Sequence, residues 1–149
     1  NNWRSYWKSR ENGKRSSSLM SEQFNIEIVS PDKSFFKKDD VTEVVIPAFE
    51  GEMGILKDHI SIISFLKPGI IKVSSGNEEA NFYVDDGIVE FKDNTLSILT
   101  SSIFDIKNSD RMKIQDMIKE AEVDLNNENL DDQKRFIISQ KVEVLKSLN

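Results

Sequence analysis

The chain has no cysteine, one histidine, three prolines and six glycines in 149 residues. Without cysteine there is no disulfide, no thiol nucleophile and no thiolate-bound metal. His59 alone cannot build a His-rich zinc or iron centre, and any Ser/His/Asp arrangement would depend on that one residue. No apolar run approaches the roughly 18 residues of a membrane-spanning helix. Positive charge is in deficit, 20 Lys and Arg against 26 Asp and Glu, and residues 1–19 hold five of the bases and one acid, leaving −10 for the remainder. An acidic body repels phosphate backbones, which excludes nucleic acid as a partner. No cofactor and no metal is expected, and catalysis has little to work with.

The opening 1–19 differs from everything after it. It carries Trp3 and Trp7, the bases Arg4, Lys8, Arg10, Lys14 and Arg15, and the run Ser16-Ser17-Ser18 ahead of Met20. Arg- and Ser-rich, acid-poor segments can be targeting peptides, but this one has no suitable apolar run and no clean amphipathic period. It reads as a disordered or non-native extension, with the native start at Met20.

Glycine and proline stop well short of the C-terminal part: five glycines fall between Gly51 and Gly87, the prolines are Pro31, Pro47 and Pro68, and none follows Gly87. Short turn-linked elements should therefore come first and long uninterrupted ones last. Phe24, Ile26 and Ile28 alternate with Asn25, Glu27 and Val29, the period of a strand. Further strands are expected over 41–47, 60–66, 69–74, 81–85, 87–92 and 95–100. Turns fall at Glu50-Gly51, Lys67-Pro68-Gly69, Ser75-Gly76-Asn77, Asp85-Asp86-Gly87 and Asp93-Asn94. About eight to ten short antiparallel strands make a β-sandwich over 20–106.

From Ser109 the period changes. Ile114, Met117, Ile118, Ala121 and Leu125 lie on one helical stripe, with Ser109 or Asp110 suited to cap its start. After Asn126-Asn127-Glu128-Asn129, Asp131 or Asp132 can cap a second helix with the stripe Ile137, Ile138, Val142, Leu145 and Leu148. Residues 107–149 thus form an antiparallel helical hairpin. Helices of this length are marginal alone in water, so the hairpin must bury its stripes internally, on the sandwich or on a partner.

Other patterns carry little chemistry. Gly51-Glu52-Met53-Gly54 lacks the lysine and hydroxyl of a phosphate loop. Asp39-Asp40, Asp85-Asp86 and Asp131-Asp132 sit at expected turns or helix starts and are read as turn and cap residues. An acid/base enzyme would have to rest on Glu50, Glu52 and His59.

The run Glu50-Gly51-Glu52-Met53-Gly54-Ile55-Leu56-Lys57-Asp58-His59, followed by Leu66-Lys67-Pro68-Gly69-Ile70-Ile71-Lys72-Val73, resembles the epsilon subunit of F-type ATP synthases, called delta in mitochondria. The opening 24–32, the stretch Phe82-Tyr83-Val84-Asp85-Asp86-Gly87-Ile88-Val89-Glu90 and the terminal hairpin agree with it, so the resemblance covers 20–149. It implies a non-catalytic rotor subunit of the central stalk, joining gamma to the c ring and coupling proton flow to ATP synthesis. In bacterial members the hairpin can extend toward the alpha and beta catalytic subunits and restrain ATP hydrolysis. The implied location is peripheral, on the cytoplasmic face of a bacterial inner membrane or, as the lesser alternative, the mitochondrial matrix face, with membrane association indirect through the complex.

Carried over by position, Glu52 matches the acidic loop residue that faces the c ring, and His59 the histidine near gamma. Where the family commonly has Pro-Gly, Lys57-Asp58 stand here, so the resemblance does not carry over the geometry of this turn. Lys67-Pro68-Gly69 should serve only to reverse the chain. An ATP-binding pattern of Ile/Leu-Asp-x-x-Arg-Ala is replaced by Asn108-Ser109-Asp110-Arg111-Met112, with the aspartate beside the arginine, so ATP sensing is not expected. Lys134, Arg135, Lys141 and Lys146 give the second helix a basic character opposite to the body, and by resemblance they are inhibitory contacts to an acidic segment of the catalytic subunit. The competing reading is a free-standing β-sandwich binding module with its helices packed permanently on the sheet.

Overall fold

A computed structural model describes residues 22–148. The expected extension at 1–19 lies outside the described residues. Ten strands come first: β1 (Phe24–Ser30), β2 (Lys33–Val41), β3 (Glu43–Ala48), β4 (Gly51–Ile55), β5 (Ile62–Leu66), β6 (Gly69–Ser75), β7 (Glu78–Val84), β8 (Gly87–Lys92), β9 (Thr95–Leu99) and β10 (Ile103–Asp105). A 3-10 turn at Ile106–Asn108 leads into α1 (Arg111–Leu125) and α2 (Asp132–Ser147).

The strands follow one hydrogen-bonded path, β10-β7-β6-β3-β5-β8-β9-β1-β2, with β4 paired to β3 beside it. The path folds over on itself. Phe82 of β7 meets Phe35 and Phe36 of β2, near the other end, at ring-centroid distances of 5.7 and 4.9 Å. Each strand sends alternate side chains inward, as a pleat requires. Phe24, Ile26, Ile28, Val44, Ile46, Ile71, Val73, Val89, Phe91, Leu96 and Ile98 fill the core between the two layers.

The sandwich is as expected, with one difference in pairing: β1 lies parallel to β9, while the other pairs are antiparallel. No short turn joins β1 to β9, so nothing forces them to run oppositely. Three strands, β2, β4 and the three-residue β10, also replace expected gaps. β2 reads Lys-Ser-Phe-Phe-Lys-Lys-Asp-Asp-Val. It ends the path, where charged side chains blunt an exposed edge. β4 was hidden by the two glycines among its five residues.

Two turns show why their residues stand there. Asp93 and Asn94 have φ of 51° and 56°, the paired positive values of the two-residue hairpin turn between β8 and β9, which Asp and Asn tolerate better than other side chains. Gly69 does more than reverse the chain: a Cβ on it would sit 2.5 Å from Pro47 Cβ, so only glycine lets β6 start this close to β3.

The hairpin follows its stripes. Asp110 accepts from Met112 N–H (2.9 Å) to cap α1, and Asp131 accepts from Lys134 N–H (2.7 Å) to cap α2. Ile114, Ile118 and Ala121 of α1 and Val142 and Leu145 of α2 are buried. The hairpin docks on the sandwich through a second, smaller cluster in which Tyr83 meets Ile114, Ile118 and Leu145, with Phe104 and Ile106 packed around them.

Candidate functional site

The β3–β4 hairpin turns at Phe49-Glu50, with Ala48 opposite Gly51 and Pro47 opposite Glu52. Gly51 has φ 134°, a value closed to other residues, which is why a glycine follows the turn. Because β4 pairs only with β3, Glu52 projects from a strand with one free edge and is exposed. Glu50 is held: its Oε2 accepts from Ser64 Oγ of β5 at 3.2 Å.

The loop from β4 to β5 carries His59. Asp58 has φ 63°. This is the left-handed conformation that a glycine adopts freely and that Asp tolerates better than most side chains. The conformation is secured from the β8–β9 turn. Asp58 N–H donates to Asn94 Oδ1 at 2.7 Å, and Asn94 Nδ2 donates back to Asp58 Oδ1 at 3.0 Å. His59 follows with its N–H donating to Leu56 O at 3.1 Å and its Nδ1 within 2.8 Å of Ile60 O, which fixes the proton on Nδ1. The ring stands edge-on to Phe91, centroids 6.0 Å apart. Glu50 and His59 each bond elsewhere, Glu50 to Ser64 and His59 to its own loop, so the three residues an acid/base enzyme would need do not form a dyad or triad. Among the described residues no group of three or more His, Asp and Glu comes together as a cation site.

The sequence reading missed the most extensive feature of this end of the molecule. On the outer face of the sheet, Phe65 pairs with Ile88 and Ile88 with Leu99, one apolar row across three strands. All three are exposed, Phe65 by 60%, and Ile63 beside them by 71%. Pro31, Phe65, Ile88 and Leu99 line an open groove of about 560 Å³. A sheet facing water is polar on that side, and contiguous apolar surface marks a place where another molecule docks. Ile60, Leu56 and Phe49, on the flanking loops and turn, are exposed too. The signal was present as adjacent apolar residues (Ile62-Ile63, Phe65-Leu66, Ile88-Val89, Ile98-Leu99), which no one-sided strand needs.

The basic residues of α2 are largely engaged within the protein. Arg135 Nη1 and Nη2 donate to Leu125 O (2.9 Å) and Asn127 O (3.4 Å), closing the C-terminal end of α1. Lys146 Nζ lies 3.1 Å from Glu122 Oε1 of α1, and Lys141 Nζ 3.2 Å from Asp85 Oδ2 of the sandwich. Lys134 makes no ion pair among the described residues and is exposed. Asp85 lies in the turn between β7 and β8, as read from sequence, and has a further role: it also accepts from Tyr83 OH at 2.6 Å. Burial, with the Asp85 hydrogen bond and charge adding to it, pushes the Tyr83 phenol well above its ordinary value. Asp110 is used as the cap of α1.

A compact sandwich with an open apolar face and a docked helix pair is the build of an assembly subunit. The family model described as ATP synthase, Delta/Epsilon chain, beta-sandwich domain matches residues 23–106. The ATP synthase epsilon chain of Pelagibacter ubique (strain HTCC1062) is 64% identical over 130 residues, 87% of this chain and 100% of that one. That of Sinorhizobium medicae (strain WSM419) is 32% identical over 131 residues, 87% of this chain and 95% of the other. A chain in the cryo-EM structure of the Euglena gracilis mitochondrial ATP synthase, OSCP/F1/c-ring in rotational state 1, has the same fold with a TM-score of 0.68 at 24% identity, covering 85% of this chain and 81% of that one. A chain of the Tetrahymena thermophila mitochondrial ATP synthase central stalk/c-ring gives 0.55 at 18% identity, covering 83% and 93%. The chain belongs to the ATP synthase delta/epsilon family.

Proposed function

We propose that the protein is a non-catalytic central-stalk subunit of a proton-translocating F-type ATP synthase, joining gamma to the c ring so that ring rotation drives ATP synthesis on the catalytic subunits. The observation that carries this is the apolar row Phe65, Ile88 and Leu99 with Ile63, a surface unsuited to water at one side of a well-filled core. In this reading gamma covers that row and also meets His59, whose loop is held by the Asp58–Asn94 clasp. The projecting β3–β4 turn meets the c ring, and exposed Glu52 supplies an acidic contact there. The hairpin, through Lys134, Arg135, Lys141 and Lys146, reaches the alpha and beta subunits and restrains ATP hydrolysis. Among the described residues no helix is long and apolar enough to cross a membrane. In this reading residence at the cytoplasmic face of a bacterial inner membrane comes through the complex.

Two assays test the two parts. Membranes depleted of their epsilon subunit should regain proton-driven ATP synthesis when the full chain is added and should fail to regain it with Ile88→Glu, a change on the outer face that leaves the core intact. Hydrolysis by the assembled catalytic complex should rise severalfold with a chain ending at Asn108. Equal synthesis with the Ile88→Glu chain would count against the docking face, and unchanged hydrolysis would restrict the function to the sandwich.

A further inference from the structure

The ion pairs of the hairpin divide into two kinds. Arg135 bonds to Leu125 and Asn127, and Lys146 to Glu122, so both stay within the hairpin wherever it goes. The Lys141–Asp85 pair crosses from α2 to the sandwich, and no other ion pair among the described residues does so. It is also the better sheltered, with the two side chains 27% and 24% exposed against 60% and 48% for Lys146 and Glu122. Asp85 is held ready for it: Tyr83 OH donates to one carboxylate oxygen, Asp85 N–H donates to Ser102 O at 3.2 Å, and the Tyr83 ring stacks on Phe104 at 5.0 Å. The other carboxylate oxygen faces Lys141.

We infer that Asp85 is a latch. It holds Lys141 and thereby sets how readily the hairpin leaves the sandwich. The rest of the docking surface is apolar and small, centred on Tyr83, Ile114, Ile118 and Leu145, so one sheltered pair weighs heavily in the balance between docked and released states. The inference rests on the reading that the basic face of α2 meets an acidic partner. Lys141 cannot serve both, so an acidic segment of the catalytic subunit would have to replace Asp85 as its counter-ion. Exchange of one carboxylate for another changes little in free energy, which lets a modest bias from elsewhere in the complex decide the position of the hairpin.

Hydrogen exchange on the full chain tests the latch directly, with Asp85→Asn, Lys141→Gln and the double variant. Asparagine keeps the size and the acceptor for Tyr83 and removes only the charge. Each single variant should speed exchange in the α1 and α2 amides about fivefold, about 1 kcal/mol at 1.4 kcal/mol per tenfold. The double variant should be no faster than either single one, and β1, β8 and β9 should be unaffected. Unchanged helix exchange overturns the latch, as does additive acceleration or equal loss of protection in those strands. Hydrolysis by the assembled complex then reads the proposed function separately. Lower hydrolysis with Asp85→Asn supports both; faster helix exchange with unchanged hydrolysis upholds the latch and counts against the hairpin as a brake.

Discussion

Asp58 and Asn94 lie 36 positions apart, yet each supports the other's left-handed backbone through a reciprocal pair of hydrogen bonds. Asn94→Ala removes both bonds and places a residue unsuited to positive φ in the β8–β9 turn, so it should cost about 1 to 2 kcal/mol in urea unfolding. Asp58→Gly should recover part of that loss in the Asn94→Ala background while being close to neutral or harmful alone, a coupling that a double-mutant cycle reads. Gly69→Ala pushes a methyl into Pro47 and should destabilise by about 1 to 3 kcal/mol. The clasp was beyond the reach of sequence reasoning. Lys57-Asp58 announced only that Pro-Gly was missing, and the residue that compensates is distant in the chain. Asp85 does lie in the turn between β7 and β8, as Asp-Asp-Gly indicates, and its further contact escaped the sequence for the same reason: Lys141 is 56 residues away.

Among elements, those with a strong period were legible and those without were not. β1, β6, β8 and β9 alternate, and both helices were located with a capping aspartate among the candidates named. β2, β4 and β10 were lost: the first because an edge strand carries charge on purpose, the second because two of its five residues are glycine, and the third because three residues leave no period to count. The hairpin's docking depends on few side chains, so Leu145→Ala should cost about 2 to 5 kcal/mol of docking. The loss should be confined to helix protection, because the sandwich core contains no hairpin residue. Docking also has a pH limit. The folded pKa of Tyr83 lies above the value near 10 of an unfolded tyrosine, so its contribution is complete below about pH 10 and is lost as pH rises past that. Helix content followed by circular dichroism should fall in that alkaline range, and Tyr83→Phe should remove the step.

For the whole molecule, the sequence supplied the acidic charge balance, the order of strands before helices and, through one glycine-rich run, the family. It supplied Glu52 and His59 by resemblance, and the structure places them on separate features: Glu52 on a projecting strand, His59 in a loop clasped to the β8–β9 turn. What it did not supply was the apolar outer face of β5, β8 and β9, since exposure is a property of how strands stack and not of any single strand. That surface is the centre of the account. Binding of the full chain to isolated gamma subunit, measured by calorimetry with Ile88→Glu and Phe65→Glu beside it, tests it most directly. The account predicts a one-to-one complex for the unaltered chain and at least a hundredfold weaker binding for either variant, about 3 kcal/mol, with unfolding midpoints unchanged. Undiminished binding by both variants would contradict it.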